Sequence, residues 1–252
     1  MRLLEVTKLS KRFGGLAAVS DFSFYVNKGE VLGLVGPNGA GKTTVFNLIT
    51  GFLSPTSGEI LFKGAKITGL RPDQIARKGI VRSWQQMTLF GDMTTLENVI
   101  AGLHLYIRSG FWQAIFNTPS VRKEEVVVRQ KATEMVEYMG LAPFENELAR
   151  NLSHGYQRML GVAIALATSP ELLLLDEPSA GLSPVEATTM ISQLSRIRER
   201  GITLMLIEHN MKVVMNFCER IIVLSFGQQI AEGLPHEIRE NKDVIEAYLG
   251  VG

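Results

Sequence analysis

The chain has 252 residues, of which 46% are hydrophobic and 20% are charged. That much apolar material supports a buried core and excludes an intrinsically disordered protein. Lysine and arginine number 26 against 25 acidic residues, and a formal charge of +1 gives no electrostatic basis for binding nucleic acid. Cys218 is the only cysteine, which excludes an intramolecular disulfide and predicts a reducing compartment.

No segment of the sequence resembles a membrane span or a secretory signal. The richest apolar run, residues 159–167, has nine residues, whereas a bilayer-spanning helix needs roughly 20. The first residues also lack the long apolar segment of a signal peptide. We therefore expect a cytoplasmic protein whose role at a membrane, if it has one, comes through a partner.

The predicted elements change character along the chain. Residues 22–26 alternate between apolar side chains and the hydroxyl-bearing side chains of serine and tyrosine, as in a strand with one buried face. Residues 31–35 are a continuous apolar run, which is typical of a strand buried on both faces. From about Thr95 the apolar spacing becomes helical. Short apolar strands then return, separated by helices, at 172–175, 204–207 and 221–224. This alternation predicts an α/β fold with a mostly parallel sheet. We expect one domain over 1–252, with a core of 1–85 and 166–252 and a helical insertion over about 86–165.

One predicted helix start carries a clear local signal. Ser183 and Glu186 form the pattern of a capping box, with Pro184 at the first helical position. Gly201 follows the arginine-rich end of the same helix. The sequence therefore predicts a helix between these two points.

A glycine-rich segment lies between a buried strand and a predicted helix. It matches the pattern G-x-x-x-x-G-K-[ST]. Glycines let the backbone wrap around phosphate at a helix start, lysine reaches the β- and γ-phosphates, and the first threonine can ligate Mg²⁺. The segment predicts binding of a nucleoside triphosphate. Its residues are Gly36, Pro37, Asn38, Gly39, Ala40, Gly41, Lys42, Thr43 and Thr44.

The apolar strand at 172–175 ends in two acids, Asp176 and Glu177. With a phosphate-binding loop upstream, the first acid is suited to hold Mg²⁺ through water. The second is suited to accept a proton from an attacking water molecule.

At this point the chain resembles the ATP-binding subunits of ABC transporters, over nearly its whole length. The segment 152–157 (Leu-Ser-His-Gly-Tyr-Gln) is similar to the family's LSGGQ signature, and 180–183 (Ala-Gly-Leu-Ser) to its D-loop. Gln85 corresponds to the Q-loop glutamine and His209 to the switch histidine. Phe13 corresponds to the aromatic that stacks on adenine. The resemblance implies a RecA-like P-loop NTPase core with an N-terminal antiparallel β subdomain and an inserted α-helical subdomain.

The resemblance also implies a mechanism. Two subunits pair head to tail, and Ser153 with the Gly155 backbone N–H faces the γ-phosphate of ATP bound to the other subunit. Glu177 activates water while His209 steadies the γ-phosphate, and Lys42 completes the catalytic set. Gln85 joins Thr43 and Asp176 at Mg²⁺ and reports the nucleotide state to the membrane partner. The expected cofactors are ATP and Mg²⁺.

A finer resemblance is to the ATPases of branched-chain amino-acid importers. It rests on the long segment 98–152, on 207–211 (Ile-Glu-His-Asn-Met) and on the endings 231–235 and 244–250. It implies a second ATPase subunit, identical or paralogous, two membrane permeases and, indirectly, a periplasmic solute-binding protein. No nucleic-acid partner is expected, and the chain would lie on the inner face of the membrane. The sequence does not name the solute.

Three alternatives stay open. A lipopolysaccharide-export ATPase has similar termini, although the extended insertion fits it less well. A soluble ABC ATPase outside transport is the second. A P-loop kinase or GTPase is the third, but the chain has no N-K-x-D motif for reading guanine.

Two regions give further expectations. His154 and Tyr156 depart from the family's signature pattern, and we expect a working signature in which the His154 side chain is turned off the γ-phosphate or lies at its edge. The region from Gln85 to about Ile115 is expected to receive a permease helix. The apolar side chains on which this expectation rests are Trp84, directly before the region, and Leu89, Phe90, Phe111 and Trp112 within it.

Overall fold

The computed structural model describes residues 1–83, 89–103 and 119–249, with the backbone alone described for 119–124 and 249. By its internal contacts the chain divides into two compact units. The first unit contains residues 1–82, 171–180 and 191–252, and the second contains 83–170 and 181–190. The second unit thus takes in residues 181–190 in addition to the whole range of the predicted insertion. Among the described residues, no helix is both long enough and apolar enough to cross a membrane.

The strands among the described residues form two sheets. Their bounds are β1 Arg2–Phe13, β2 Leu16–Asn27, β3 Val31–Val35, β4 Ser57–Phe62, β5 Ala65–Lys66, β6 Ile80–Ser83, β7 Leu172–Asp176, β8 Thr203–Ile207, β9 Arg220–Ser225 and β10 Gln228–Gly233. The first sheet has the order β2-β1-β4-β5 with antiparallel pairs. The second has the order β10-β9-β3-β8-β7-β6. In it the pairs β9–β3, β3–β8 and β8–β7 are parallel, and β10 pairs antiparallel with β9. The predicted α/β class, the parallel sheet and the antiparallel N-terminal sheet are confirmed.

A helix begins at Thr95, where the apolar spacing of the sequence becomes helical. The bounds of the described helices are α1 Lys42–Ile49, α2 Pro72–Arg77, α3 Thr95–Gly102, α4 Pro119–Tyr138, α5 His154–Ala167, α6 Pro184–Glu199, α7 Met211–Phe217, α8 Pro235–Glu240 and α9 Lys242–Leu249. Short 3₁₀ turns lie at Ala142–Phe144 and Ala149–Asn151. In the second unit, α3, α4 and α5 pack against one another.

The core of the first unit lies around α1. Phe46 and Ile49 on this helix belong to one buried cluster with Leu4 and Phe22 of the antiparallel sheet and Leu32 of the parallel sheet. All five residues of β3 are buried, as its continuous apolar sequence predicts. Burying apolar side chains from both sheets and the helix fixes the loop that connects β3 to α1.

Register in the parallel sheet brings three loops to one edge. Leu34 of β3 and Asp176 of β7 both pair with Ile207 of β8, which lies between them in the sheet. The loops that follow these strands therefore leave the same carboxyl-terminal edge, where ligands of α/β sheets bind.

Candidate ATP site

The loop between β3 and α1 wraps tightly because glycine occupies its critical position. Gly41 has φ +102°, a left-handed conformation, and a Cβ added there would lie 2.4 Å from the carbonyl oxygen of Ala18. A larger residue would force the loop open, so only glycine allows this approach. The backbone N–H groups at the start of α1 are thereby exposed to a ligand, as phosphate binding requires.

A cleft of about 470 Å³ collects most of the residues expected to bind nucleotide. Gly36 and Pro37 form the start of the loop without lining this cleft. Phe13, at the end of β1, lies at the cleft with its side chain about half exposed. The expected site residues along the cleft are Phe13, Asn38, Gly39, Ala40, Gly41, Lys42, Thr43, Thr44, Glu177 and His209.

Lys42 is buried and is held by the loop itself. Its Nζ donates hydrogen bonds to the carbonyl oxygens of Gly36 at 2.7 Å and Pro37 at 2.8 Å. Burial lowers the pKa of Lys42, while the nearby carboxylates of Glu177 and Asp176 act in the opposite direction. The ammonium is thus oriented toward the centre of the loop, where it can exchange a carbonyl for a phosphate oxygen.

Asp176 forms a buried ion pair that is not evident from the sequence pattern. The Arg82 guanidinium donates to Asp176 Oδ2 and also donates to Asn47 Oδ1 at 2.6 Å. The side chains of Arg82 and Asp176 are only 4% and 1% exposed. The other oxygen, Asp176 Oδ1, is buried and has no hydrogen-bond partner among the residues that the structure describes. The local signal for this pair was an arginine that directly follows two apolar residues in β6.

Glu177 and His209 are in direct contact. Glu177 Oε1 lies 2.6 Å from His209 Nε2, and the Glu177 backbone N–H donates to the carbonyl of Ile207 at 2.9 Å. Glu177 has φ +49°, a left-handed conformation that is unfavourable for a non-glycine residue. Such strain persists only where the surrounding structure imposes it, and it occurs often at active sites.

A second unanticipated acid connects the loops after β7 and β8. Glu208 is 2% exposed and accepts hydrogen bonds from the backbone N–H groups of Ser179 at 2.8 Å, His209 at 3.1 Å and Asn210 at 3.3 Å. A carboxylate bonded by several N–H groups is stable when buried. Glu208 therefore fixes the backbone next to Glu177 and His209. The sequence signal was an acid directly after a buried strand.

The signature segment, defined here as residues 152–157, lies in the second unit. Ser153 is the N-cap of α5, and its Oγ accepts the Tyr156 backbone N–H at 3.4 Å. Gly155 is buried at the helix start, and the Tyr156 ring packs on Phe144 with centroids 4.4 Å apart. The exposed His154 ring lies over Gly181, with its Cε1 3.2 Å from the position of a Cβ added there. Ser153 and Gly155 are thus on the first turn of a helix, as expected.

Several expected residues lie outside the described part of the chain. They are the Q-loop candidate Gln85 and the aromatic residues Trp84, Phe111 and Trp112. Their predicted roles stay predictions.

Comparison with known proteins identifies the family of the chain. The ABC transporter family model matches residues 19–180. The chain therefore belongs to the ABC transporter family, as an ATP-binding subunit. A second model, described as branched-chain amino acid ATP-binding cassette transporter, matches residues 228–252.

Relatives and solved structures match nearly the whole chain. It is 43% identical over 249 residues to the high-affinity branched-chain amino acid transport ATP-binding protein BraF of Pseudomonas aeruginosa, covering 98% of each chain. The ADP conformation of MJ1267, an ATP-binding cassette of an ABC transporter, aligns with a TM-score of 0.87 and 33% identity over 99% of each chain. The dimeric structure of the cassette MJ0796 aligns with a TM-score of 0.78 and 26% identity, covering 92% of this chain and 99% of that one. The predicted family and fold are confirmed.

Proposed function

We propose that this chain powers an ABC importer for branched-chain or similar amino acids by binding and hydrolysing ATP at the inner face of the membrane. The observation that carries the proposal is the convergence of Lys42, Glu177 and His209 on one cleft beside the phosphate-binding loop. The match of the C-terminal segment to the branched-chain amino acid model supports an importer over the export and non-transport alternatives.

The donor set fits Mg²⁺. This ion prefers oxygen ligands and usually keeps several waters while binding one or two carboxylates and substrate phosphates. Asp176 supplies a buried carboxylate oxygen with no hydrogen-bond partner among the described residues, and Thr43 supplies a hydroxyl at the cleft. These residues, with Gln85 as the third expected ligand, would hold the ion. When bound, it would neutralise charge on the phosphates.

The residues of the cleft divide the chemistry of hydrolysis between them. Lys42 and the backbone N–H groups at the start of α1 bind the β- and γ-phosphates. Glu177 orients the attacking water and accepts its proton, while His209 holds the Glu177 carboxylate and contacts the γ-phosphate. Phe13 provides a surface on which adenine stacks. The 2.6 Å contact between Glu177 Oε1 and His209 Nε2 supports this assignment because the imidazole holds the carboxylate in a fixed position.

Pairing of two subunits completes the site. In the proposed head-to-tail pair, Ser153 and the Gly155 N–H of one subunit bind the γ-phosphate of ATP held by the other. Their position at the start of a helix suits an anion. The dimeric MJ0796 cassette supports pairing in this family. The second subunit is either a further copy of this chain or a paralogue.

Uptake measurements test the proposed function and the role of Lys42 together. The chain would be reconstituted in vesicles with candidate permeases and a candidate solute-binding protein from the same organism, and uptake of labelled leucine measured with and without ATP. We expect ATP-dependent uptake with the native chain and none with Lys42→Ala, which loses its phosphate-binding ammonium and, by titration, at least tenfold in ATP affinity. The surface variant Lys66→Ala is the control. Uptake that is unaffected by Lys42→Ala would contradict the proposal.

We further propose that the surface around Phe90 receives a permease helix. Asn98, which is 1% exposed, holds this loop by accepting the Phe90 N–H at 2.9 Å and donating to the Phe90 carbonyl at 3.0 Å. The loop is thereby fixed while the side chains of Phe90 and Met93 are 56% and 40% exposed. Exposed apolar side chains on a fixed loop suit a partner surface.

Substitution of Phe90 by serine tests this surface. We expect the variant to co-purify with the permeases at less than a fifth of the native level, since an apolar anchor is lost, while ATP binding by the isolated chain is unchanged. Val126→Ser is the matched control because Val126 is a similarly exposed apolar residue, 66% exposed, on α4. Normal assembly of the Phe90 variant would place the docking surface elsewhere.

A further inference from the structure

The carboxylate of Glu186 is in contact with the signature segment. Glu186 lies in the first turn of α6, where Oε2 accepts the Ser183 backbone N–H at 3.0 Å and the Ser183 hydroxyl at 2.8 Å. Its other oxygen, Oε1, accepts the Ser153 hydroxyl at 3.3 Å. Hydrogen bonds from the backbone and side chain of Ser183, and then from Ser153 and the Gly155 backbone, lower the pKa of Glu186. An ionised carboxylate therefore joins two helix starts.

The same contact fills the space beside Gly155. A Cβ added at Gly155 would lie 2.5 Å from Glu186 Oε1 and 2.8 Å from its carboxyl carbon. Glycine here thus allows an anion to approach the backbone at the start of α5. The groups that receive this anion are the Ser153 hydroxyl and the Gly155 N–H, the two groups expected to bind the γ-phosphate of ATP held by the other subunit.

One hydroxyl cannot donate to both anions. The Ser153 hydroxyl carries a single proton, which it gives to Glu186, while its oxygen accepts the Tyr156 N–H. A γ-phosphate that takes this proton must replace the carboxylate. Two anions at the same helix start also repel each other, so the carboxylate must withdraw as the phosphate arrives.

We propose that Glu186 is a further residue of the shared ATP site, where its carboxylate occupies the anion-binding groups of the signature until the partner-bound γ-phosphate displaces it. This inference rests on the proposed head-to-tail pairing. Displacing the Glu186 carboxylate from the signature segment costs free energy and therefore opposes pairing of the two subunits. Glu186 thus raises the ATP concentration at which two subunits pair. ADP, which has no γ-phosphate, does not displace the carboxylate and leaves the subunits apart.

The test is an ATP titration of dimer formation by sedimentation velocity. The parent chain carries Glu177→Gln so that bound ATP persists, and Glu186→Gln is added to it. Glutamine keeps the size of the side chain and can serve in the capping box, but it removes the negative charge. We expect the midpoint ATP concentration for dimer formation to fall on the order of tenfold, because the competing anion is gone.

Glu97→Gln in the same parent is the matched control. Glu97 occupies the equivalent capping-box position of α3, accepting the Thr94 N–H at 2.8 Å, and its own N–H donates to Thr94 Oγ1 at 3.2 Å. The substitution removes the same charge from the same unit and the same kind of helix start. We expect it to leave the midpoint unchanged.

The outcomes separate the inference from the proposed function. An unchanged or higher midpoint for Glu186→Gln overturns the role of Glu186 while leaving the pairing intact. A parent that stays monomeric at every ATP concentration overturns the pairing and the inference with it. If circular dichroism shows that Glu186→Gln folds poorly, Glu186→Asp provides the second variant. Its shorter side chain keeps the charge but draws it away from Ser153, and it too is expected to lower the midpoint.

Discussion

Replacing Glu177 with glutamine is expected to lower steady-state ATP hydrolysis about 10²- to 10⁴-fold, the usual contribution of a general base. Glutamine preserves the size of the side chain and a hydrogen bond to His209, but it cannot take a proton from water. Binding of ATP should be retained because Lys42 and the phosphate-binding loop are unchanged. The measurement is phosphate release at saturating ATP, together with a titration of nucleotide binding.

Glu171→Gln is the matched control for this prediction. Glu171 is a solvent-exposed acid paired with Lys63 at 2.6 Å, away from the phosphate-binding loop. Its substitution removes the same charge and should leave turnover within twofold of the native value. A Glu177→Gln chain that hydrolyses ATP at near-native rates would show that another group accepts the proton.

Replacing Arg82 with methionine is expected to reduce the free energy of unfolding by about 3–5 kcal/mol, the cost of leaving one member of a buried ion pair without its partner. The partner is Asp176, which is more deeply buried than Arg82 itself. Urea denaturation followed by circular dichroism measures the change. The double variant Arg82→Met/Asp176→Asn should recover part of the loss, because it removes the isolated charge as well.

A surface ion pair provides the control for Arg82. Lys63 and Glu171 have side chains that are 48% and 40% exposed, and such pairs contribute about 0–1 kcal/mol. Lys63→Met should therefore change the free energy of unfolding by less than about 1 kcal/mol. An Arg82→Met variant as stable as Lys63→Met would mean that the ion pair with Asp176 contributes little.

The features that could be predicted from the sequence are those that depend only on residues close together along the chain. The pattern Ser183-Pro184-Val185-Glu186 predicts the start of α6, and the structure has the reciprocal hydrogen bonds of a capping box there. The apolar run 172–175 likewise predicts a buried strand ending at Asp176. In these segments the spacing of residues along the chain determines the contacts, so no knowledge of the remaining chain is needed.

The contacts that were missed join distant positions. Arg82 and Asp176 are 94 residues apart, and Glu208 reaches Ser179 across 29. Such contacts depend on the order of the strands in the sheet, which the local sequence pattern does not specify. Glu186 combines both situations: its contact with Ser183 follows from a separation of three, whereas its contact with Ser153 spans 33 positions. The local role of this residue was predicted, and its second role required the packing of α5 beside the start of α6.

The most direct test of the central claim, that two subunits share each ATP, is sedimentation velocity of Glu177→Gln and Glu177→Gln/Ser153→Arg with saturating Mg²⁺ and ATP. Ser153 does not line the cleft that holds the phosphate-binding loop, so the double variant should bind ATP as the parent does. We predict that the parent sediments as a dimer and the double variant as a monomer with ATP bound. The reason is that the arginine side chain would occupy the position at which the signature segment binds the γ-phosphate of the partner's ATP. A double variant that dimerises at the same ATP concentration as the parent would contradict the shared site.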